Sequence, residues 1–145
     1  MKTIALVPCS SGKVQTTRPL PAKDFYIGTF FHKALECAKS LQPDEIYILS
    51  AKHHVVELEQ KMTYYNMLLS KQPVKYRKMW AEEVLYQLEE KGVNLMKDKI
   101  IFLTGKAYYE NLQKHIVHNK IVGEGLRIGL KMQEFNRIIQ FKSKK

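Results

Sequence analysis

The sequence predicts an α/β fold: a single three-layer domain over residues 1–145, with a mostly parallel sheet of about four strands and helices on both faces. Three short apolar runs have the continuous pattern of parallel strands that are buried on both faces. Helical periodicity follows each run, as in consecutive β-α-β units. A chain of 145 residues, 45% of them hydrophobic, is long enough to bury one core.

The first half of the chain is predicted to hold two strands and one helix. Residues 2–8 form a buried strand, and residues 9–25 form a long loop because Pro19 and Pro21 oppose regular structure. A helix follows over about 27–41, and a second strand covers 46–49. Residues 51–72 are predicted to be irregular apart from short helical turns. The apolar face of the helix consists of Phe31, Leu35, Ala38 and Leu41.

The second half alternates helices with strands. Pro73 suits the first turn of a helix over 73–91, and Gly92 suits its end. A third strand covers 99–104, and a helix over roughly 106–115 leads to a weak fourth strand within 116–122. A last helix over about 127–141 places four apolar residues on one face: Ile128, Met132, Phe135 and Ile139.

The net charge of +10 is concentrated in the last third of the chain. Residues 97–145 hold 11 Lys/Arg and four Asp/Glu, a net charge of +7, against +3 for residues 1–96. Such a bias favours a polyanionic partner, DNA or RNA, with Lys106, Lys120 and Arg127 as contacts. A solvated basic surface is the alternative interpretation.

Cysteine content and hydropathy indicate the cellular compartment in which the protein is expected. Cys9 and Cys37 do not form a disulfide framework, and Cys37 suits a small core position. No run approaches the roughly 20 apolar residues of a membrane helix, and no signal peptide is recognised. We therefore expect a cytoplasmic protein without membrane contact. The sequence leaves the oligomeric state open.

Polar residues follow all three predicted strands, where each strand ends. Because the carboxyl ends of parallel strands lie at one edge of a sheet, these side chains are expected to form one ligand site. The first end supplies a thiol, two serines and a lysine, the second a serine, a lysine and two histidines, and the third a threonine, a glycine, a lysine and two tyrosines. The residues are Cys9, Ser10, Ser11, Lys13; Ser50, Lys52, His53, His54; Thr104, Gly105, Lys106, Tyr108, Tyr109.

Two of these groups suggest chemistry. Cys9 is a candidate nucleophile if a nearby cation lowers its pKa, and its alternative is a small buried residue. Lys13 is a candidate catalytic or anion-binding group, the alternative being a solvated lysine. His53 and His54 suit acid–base chemistry, but no third ligand has metal-site spacing, so we predict no metal and no cofactor.

Other motifs lie outside these ends. Glu57 and Glu59 would share a face of an extended segment, as a glycosidase pair does, or would be solvated. Tyr65 and Asn66 suit base stacking and base-edge hydrogen bonding, with core packing as the alternative. The glycine-rich segment 123–129 opens the last helix and gives a weak phosphate signal.

The ordered set of short motifs resembles the catalytic domain of archaeosine synthase. It also resembles a group of small bacterial and phage proteins and, more distantly, the YaaA peroxide-stress proteins. Position 54 is His where the resembling segment has Gly, and position 66 is Asn where it has Asp. The motifs are Pro8-Cys9-Ser10 with Lys13; Tyr26-x-x-Thr29-x-x-His32; 49–59, Leu-Ser-Ala-Lys-His-His-Val-Val-Glu-Leu-Glu; and Tyr64-Tyr65-Asn66.

The resemblance implies chemistry on a 7-deazaguanine-type base or nucleotide. It carries functional roles to Cys9, Ser10, Lys13, His32, Ser50, Glu57, Glu59 and Tyr65. The leading hypothesis is therefore an enzyme that modifies a purine-like base in a pocket at the strand ends, with Tyr26 or Tyr65 stacking on the base. The alternatives are a non-catalytic DNA- or RNA-binding protein, and an N-glycosidase or glycosyl-transfer enzyme that uses Glu57 or Glu59.

Overall fold

The computed structural model describes residues 1–10, 12–15 and 17–144. Its main sheet contains five strands: β1 (Thr3–Pro8), β3 (Glu45–Ser50), β4 (His54–Glu57), β6 (Lys99–Phe102) and β7 (His118–Ile121). A two-stranded sheet pairs β2 (Leu20–Pro21) with β5 (Lys61–Met62). The helices are α1 (Ala22–Phe25), α2 (Thr29–Ser40), α3 (Val74–Glu90), α4 (Lys106–Tyr109) and α5 (Ile128–Ser143), with 3₁₀ turns at Leu69–Lys71 and Gln113–His115.

The sheet is mostly parallel, as the sequence predicts. Its strand order is β4-β3-β1-β6-β7, and only the β3–β4 pair is antiparallel. Beginning at β1, the chain first adds β3 on one side and later β6 on the other. The connections therefore diverge at the carboxyl end of β1, and such a switch point is where open α/β sheets bind ligands.

Alternate side chains of the central strands enter two separate cores. Ile4 and Leu6 of β1 face the core beneath α3, whereas Ala5 and Val7 face the core beneath α2 and α5. The ring of Phe30 on α2 lies 5.6 Å from that of Phe135 on α5, so these two helices form one layer. The result is the three-layer arrangement that the apolar runs predict. No helix among the described residues is long and apolar enough to span a bilayer.

Several predicted boundaries differ from the structure. The segment 51–72 contains a short helical turn, as predicted, at Leu69–Lys71, but it also contributes β5 and β4. The two buried residues of β4 are too few to show a strand period. The loop 9–25 contains β2 and α1, and the helix predicted over 106–115 is split into α4 and a 3₁₀ turn. Ile128, predicted to be on the inner face of the last helix, is 61% exposed. The buried residues of α5 are Lys131 and Phe135.

His54 begins β4 with a left-handed backbone, at φ 64°. This conformation costs a residue with a Cβ roughly 1–2 kcal/mol, which accounts for the glycine in the resembling sequences. We expect His54→Gly to be more stable than His54→Ala by about 1 kcal/mol, because both variants lose the imidazole and only glycine escapes the strain.

Chemical denaturation of both His54 variants measures this difference. His53 is the matched control, because it is not among the residues with positive φ. There the order should reverse, since glycine only adds flexibility to the unfolded chain. Equal stabilities of His54→Gly and His54→Ala would contradict a strained position 54.

Candidate functional site

The carboxyl edge of the sheet brings together Cys9, Lys13, Ser50 and Tyr108 from the predicted strand ends, and Tyr65 from the segment after β5 joins them. Cys9 follows β1, and its Sγ lies 3.3 Å from the hydroxyl of Tyr108 on α4. The Nζ of Lys13 lies 4.7 Å from the centre of the Tyr65 ring. Ser50 ends β3 and hydrogen-bonds to Tyr65 through its Oγ at 2.7 Å. Groups from three strand ends therefore meet around one thiol.

A chain of buried hydroxyl groups fixes the Tyr65 ring. The hydroxyls of Tyr26 and Tyr65 lie 2.5 Å apart, and Ser50 Oγ also accepts the backbone N–H of His53 at 3.1 Å. The His53 ring meets the Tyr65 ring edge-on at 4.9 Å. Burial raises the pKa of Tyr26 to about 12 and raises that of Tyr65 further, so both phenols stay protonated at neutral pH. The Tyr65 ring is therefore uncharged and fixed in position, with the Lys13 Nζ above its face.

Helix α3 holds the segment after β3 from the opposite face. The Trp80 Nε1–H donates to the Ser50 carbonyl at 2.8 Å, and the Tyr76 hydroxyl donates to the Ala51 carbonyl at 2.8 Å. The Trp80 ring also packs edge-on against Tyr108 at 5.6 Å. One tryptophan therefore positions both the strand end and the phenol that contacts Cys9.

The loop after β1 is tied to the start of α2 by Ser10. Its Oγ accepts the backbone N–H groups of Gly12 and Gly28, each at 3.0 Å. A Cβ on Gly28 would lie 2.2 Å from that oxygen, so this close approach requires glycine. Backbone pairing of Lys13 with Tyr26 continues the connection. These contacts hold the loop after β1 in place, and the loop in turn places Lys13 over the carboxyl edge of the sheet.

The charges of Cys9 and Lys13 are coupled. Burial raises the pKa of the Cys9 thiol, while the Tyr108 hydroxyl and the Lys13 charge partly oppose this shift. Burial lowers the pKa of the Lys13 ammonium, and Cys9 partly opposes that shift. Among the described residues, no carboxylate forms an ion pair with Lys13. Burial therefore favours the neutral thiol and the neutral amine over a thiolate–ammonium pair.

Solvent reaches only part of this cluster. Cys9, His53 and Tyr108 are partly buried, and Lys52 is exposed, with its Nζ 5.9 Å from the Tyr65 ring centre. Tyr26 is fully buried and packs on Phe31, so its ring has no free face for a base. Within this cluster, the partly exposed rings are those of His53 and Tyr108.

The remaining predicted ligand residues surround the edge. Thr29 and His32 lie exposed in the first turn of α2, Asn66 is exposed beside Tyr65, and Thr104 and Gly105 follow β6. Lys106 and Arg127 are exposed after the carboxyl ends of β6 and β7. Lys120 lies within β7, in a groove with Glu134, away from that edge. Ser11 lies outside the described residues.

Glu57 and Glu59 are not brought to the cluster. Because β4 runs antiparallel to β3, Glu57 lies opposite Tyr47 rather than Ser50. The side chain of Glu57 pairs with Lys91, and that of Glu59 pairs with Lys23. Both carboxylates are exposed and line a different depression, toward the start of β3.

Sequence reasoning missed one buried charge at the same edge. Lys131 of α5 is 4% exposed, and its Nζ donates to the Thr104 carbonyl at 3.1 Å. Its position four residues before Phe135 and seven before Ile138 was the available signal, because this spacing puts a lysine on the inner face of the helix.

Within the described ranges, no three His, Cys, Asp or Glu side chains are placed to hold a metal ion.

No curated protein matches the chain. Residues 4–137 match a family of unknown function, DUF6884, and the chain belongs to this family.

Proposed function

We propose that this protein is an enzyme that modifies a purine-like nucleobase, of the 7-deazaguanine type, with Cys9 as its nucleophile and Lys13 as its proton carrier. The observation that carries the proposal is a partly buried thiol near a buried lysine that has no carboxylate partner among the described residues. Such an arrangement suits nucleophilic addition, because the amine accepts the thiol proton and the resulting cation stabilises the thiolate as it forms.

The reaction step follows from these two groups. The Cys9 sulfur adds to an electron-poor carbon of the base, such as a nitrile carbon, and one C–N π bond breaks. The thiol proton passes through the Lys13 amine to the nitrogen that receives the electron pair. The product is a thioimidate in which the C–S bond is new and the nitrogen carries the proton, so no oxidant or reductant is required.

The surroundings of Cys9 fit a planar, nitrogen-rich ligand. The partly exposed rings of His53 and Tyr108 offer aromatic surfaces, and base–aromatic stacking contributes about 1–3 kcal/mol per base. The thiol itself lies between the Tyr108 hydroxyl and the Ala51 backbone, where an inserted base would meet it. The glycosidase hypothesis receives no comparable support, because Glu57 and Glu59 are paired, exposed and distant from this edge.

Intact-protein mass spectrometry with 7-cyano-7-deazaguanine tests the proposal. The wild-type protein should gain the mass of one base, and Cys9→Ala should gain none. Cys37→Ala is the matched control, because Cys37 is fully buried and, unlike Cys9, has no lysine that opposes the rise of its thiol pKa to about 12. An adduct that survives in Cys9→Ala, or a wild type that forms none, would contradict the assigned nucleophile.

The substrate of the proposed reaction is a free base, a nucleotide, or a base within DNA or RNA. The exposed cations at this edge of the sheet help to distinguish these three forms. Lys106 and Arg127 flank the site, which suits a ligand that carries phosphate. Repeating the adduct assay with the modified base presented as nucleotide and in a short oligonucleotide distinguishes these substrates. If the reactive substrate is an oligonucleotide, its binding should weaken steeply with salt.

A further inference from the structure

Lys131 is a buried cation that the proposed chemistry at Cys9 does not use. Its ammonium contacts the Thr104 carbonyl, one neutral acceptor for three donors. Burial lowers the pKa of Lys131, and Glu124 only partly opposes this shift. No ion pair joins Lys131 to a carboxylate in the described part of the chain. A buried charge with so little compensation is costly to the fold and points to an anion that completes its environment.

Thr104 supplies a second unsatisfied group at the same place. The residue is fully buried, and its Oγ1 has no hydrogen-bond partner among the described residues. Lys131 Nζ contacts the carbonyl oxygen of this same residue, so the orphaned hydroxyl and the under-coordinated ammonium both belong to the carboxyl end of β6. Each is a donor that a phosphate oxygen accepts.

The start of α5 adds a third favourable element. A lysine side chain leans toward the amino end of its helix, so the Lys131 stem runs toward the first turn of α5. That stem packs on Gly123, where a Cβ would lie 2.9 Å from Lys131 Cγ. The helix has 16 residues, its N-cap residue Arg127 makes no side-chain cap, and a Cβ on Gly129 would meet nothing within 4 Å. Free N–H groups and the helix dipole at an open first turn favour an anion.

We infer that Lys131, Thr104 and the first turn of α5 form a phosphate subsite for the ligand whose base reacts at Cys9. This inference rests on the proposed function for the identity of the base, but the phosphate contact stands on its own residues. Strands β1 and β6 are neighbours, so their ends lie about 5 Å apart. One nucleotide can therefore place its base near Cys9 and its phosphate near Lys131.

Isothermal titration calorimetry tests the subsite with guanosine, guanosine 5′-monophosphate, inorganic pyrophosphate and a short single-stranded oligonucleotide. The wild type should bind the monophosphate about tenfold or more tightly than guanosine, since hydrogen bonds to charged groups are among the strong ones. Lys131→Met should abolish that preference and the binding of pyrophosphate, and leave guanosine affinity unchanged. Lys97→Met is the matched control, because Lys97 is exposed and precedes β6 at the opposite edge.

Thr104→Val provides a second variant that keeps side-chain volume and removes only the orphaned hydroxyl. It should fold at least as stably as the wild type and weaken monophosphate binding severalfold. Pyrophosphate binding that persists unchanged in both variants would overturn the subsite. If pyrophosphate binds through Lys131 while guanosine does not bind at all, the subsite stands and the purine proposal fails. If the oligonucleotide binds more tightly than the monophosphate, and Lys131→Met removes that binding, the phosphate at the subsite belongs to a nucleic-acid strand.

Discussion

Replacing Trp80 by alanine is expected to lower the free energy of unfolding by about 4 kcal/mol, the usual cost of deleting a fully packed tryptophan. Trp80 is 2% exposed and lies in the core beneath α3. Its loss opens a cavity next to Tyr108 and removes the N–H donor from the Ser50 carbonyl. Since small domains are stable by about 5–15 kcal/mol, the change consumes a large part of the total.

Urea denaturation measures this effect, and two further variants separate its causes. Trp80→Phe keeps most of the ring but loses the N–H donor, so it should cost about 1–3 kcal/mol. Tyr86→Ala on the same helix is the matched control, because Tyr86 is 51% exposed and its truncation should cost under about 1 kcal/mol. Similar losses in Trp80→Ala and Tyr86→Ala would show that Trp80 does not organise this core.

Alkaline pH is expected to unfold the protein steeply above about pH 10, the ordinary pKa of tyrosine. Tyr26 and Tyr65 are buried, and burial raises the pKa of both phenols. Between the unfolded and folded pKa values the native state keeps protons that the unfolded chain has released. The free energy of unfolding therefore falls as pH rises, by about 1.4 kcal/mol per pH unit for each such tyrosine.

Lys13 and Lys131 act with the opposite sign over a lower pH range. Their pKa values are lowered in the fold, so the unfolded chain binds more protons and stability rises with pH until about 10.5. Above that pH both lysines are neutral in both states, and the slope is set by the buried phenols together with the buried thiols of Cys9 and Cys37, whose pKa values are also raised by burial. Denaturation midpoints measured from pH 8 to 12 should show this rise and fall. Tyr65→Phe should remove one tyrosine's share of the alkaline slope, and an unchanged slope would contradict the buried-phenol origin.

Four of the five strands of the main sheet are predicted correctly: three from continuous apolar runs, and β7 from the weak strand signal within 116–122. β1, β3 and β6 each bury three or more consecutive residues, which only a strand covered on both faces requires. β4 was missed because it begins at a histidine with a left-handed backbone and has only two buried residues. The helix after β6 was predicted too long, because Leu112 and Ile116 have helical spacing from Tyr108 and Tyr109 while the chain turns between them.

The sequence predicts those site residues that directly follow a strand. It does not predict the site contacts that depend on how helices pack against the sheet. Cys9 and Ser50 follow apolar runs, and the parallel sheet alone brings them to one edge. The perpendicular contact between Trp80 and Tyr108 joins residues that the sequence separates, and no local pattern reports it. Lys131 was overlooked because lysines on helices are ordinarily solvated, and only the packing of α5 shows that this one is enclosed.

The two enclosed lysines have a consequence for how the protein can be improved. Each is buried without a carboxylate partner among the described residues, so its charge is unfavourable in the folded state. Such local frustration in an otherwise consistent sequence is typical of functional sites. Selection for thermal stability alone would favour apolar replacements at positions 13 and 131, because these remove buried cations that no carboxylate neutralises among the described residues. Under the proposed function the same replacements would remove the cations assigned to the ligand, so stability and activity would favour different sequences.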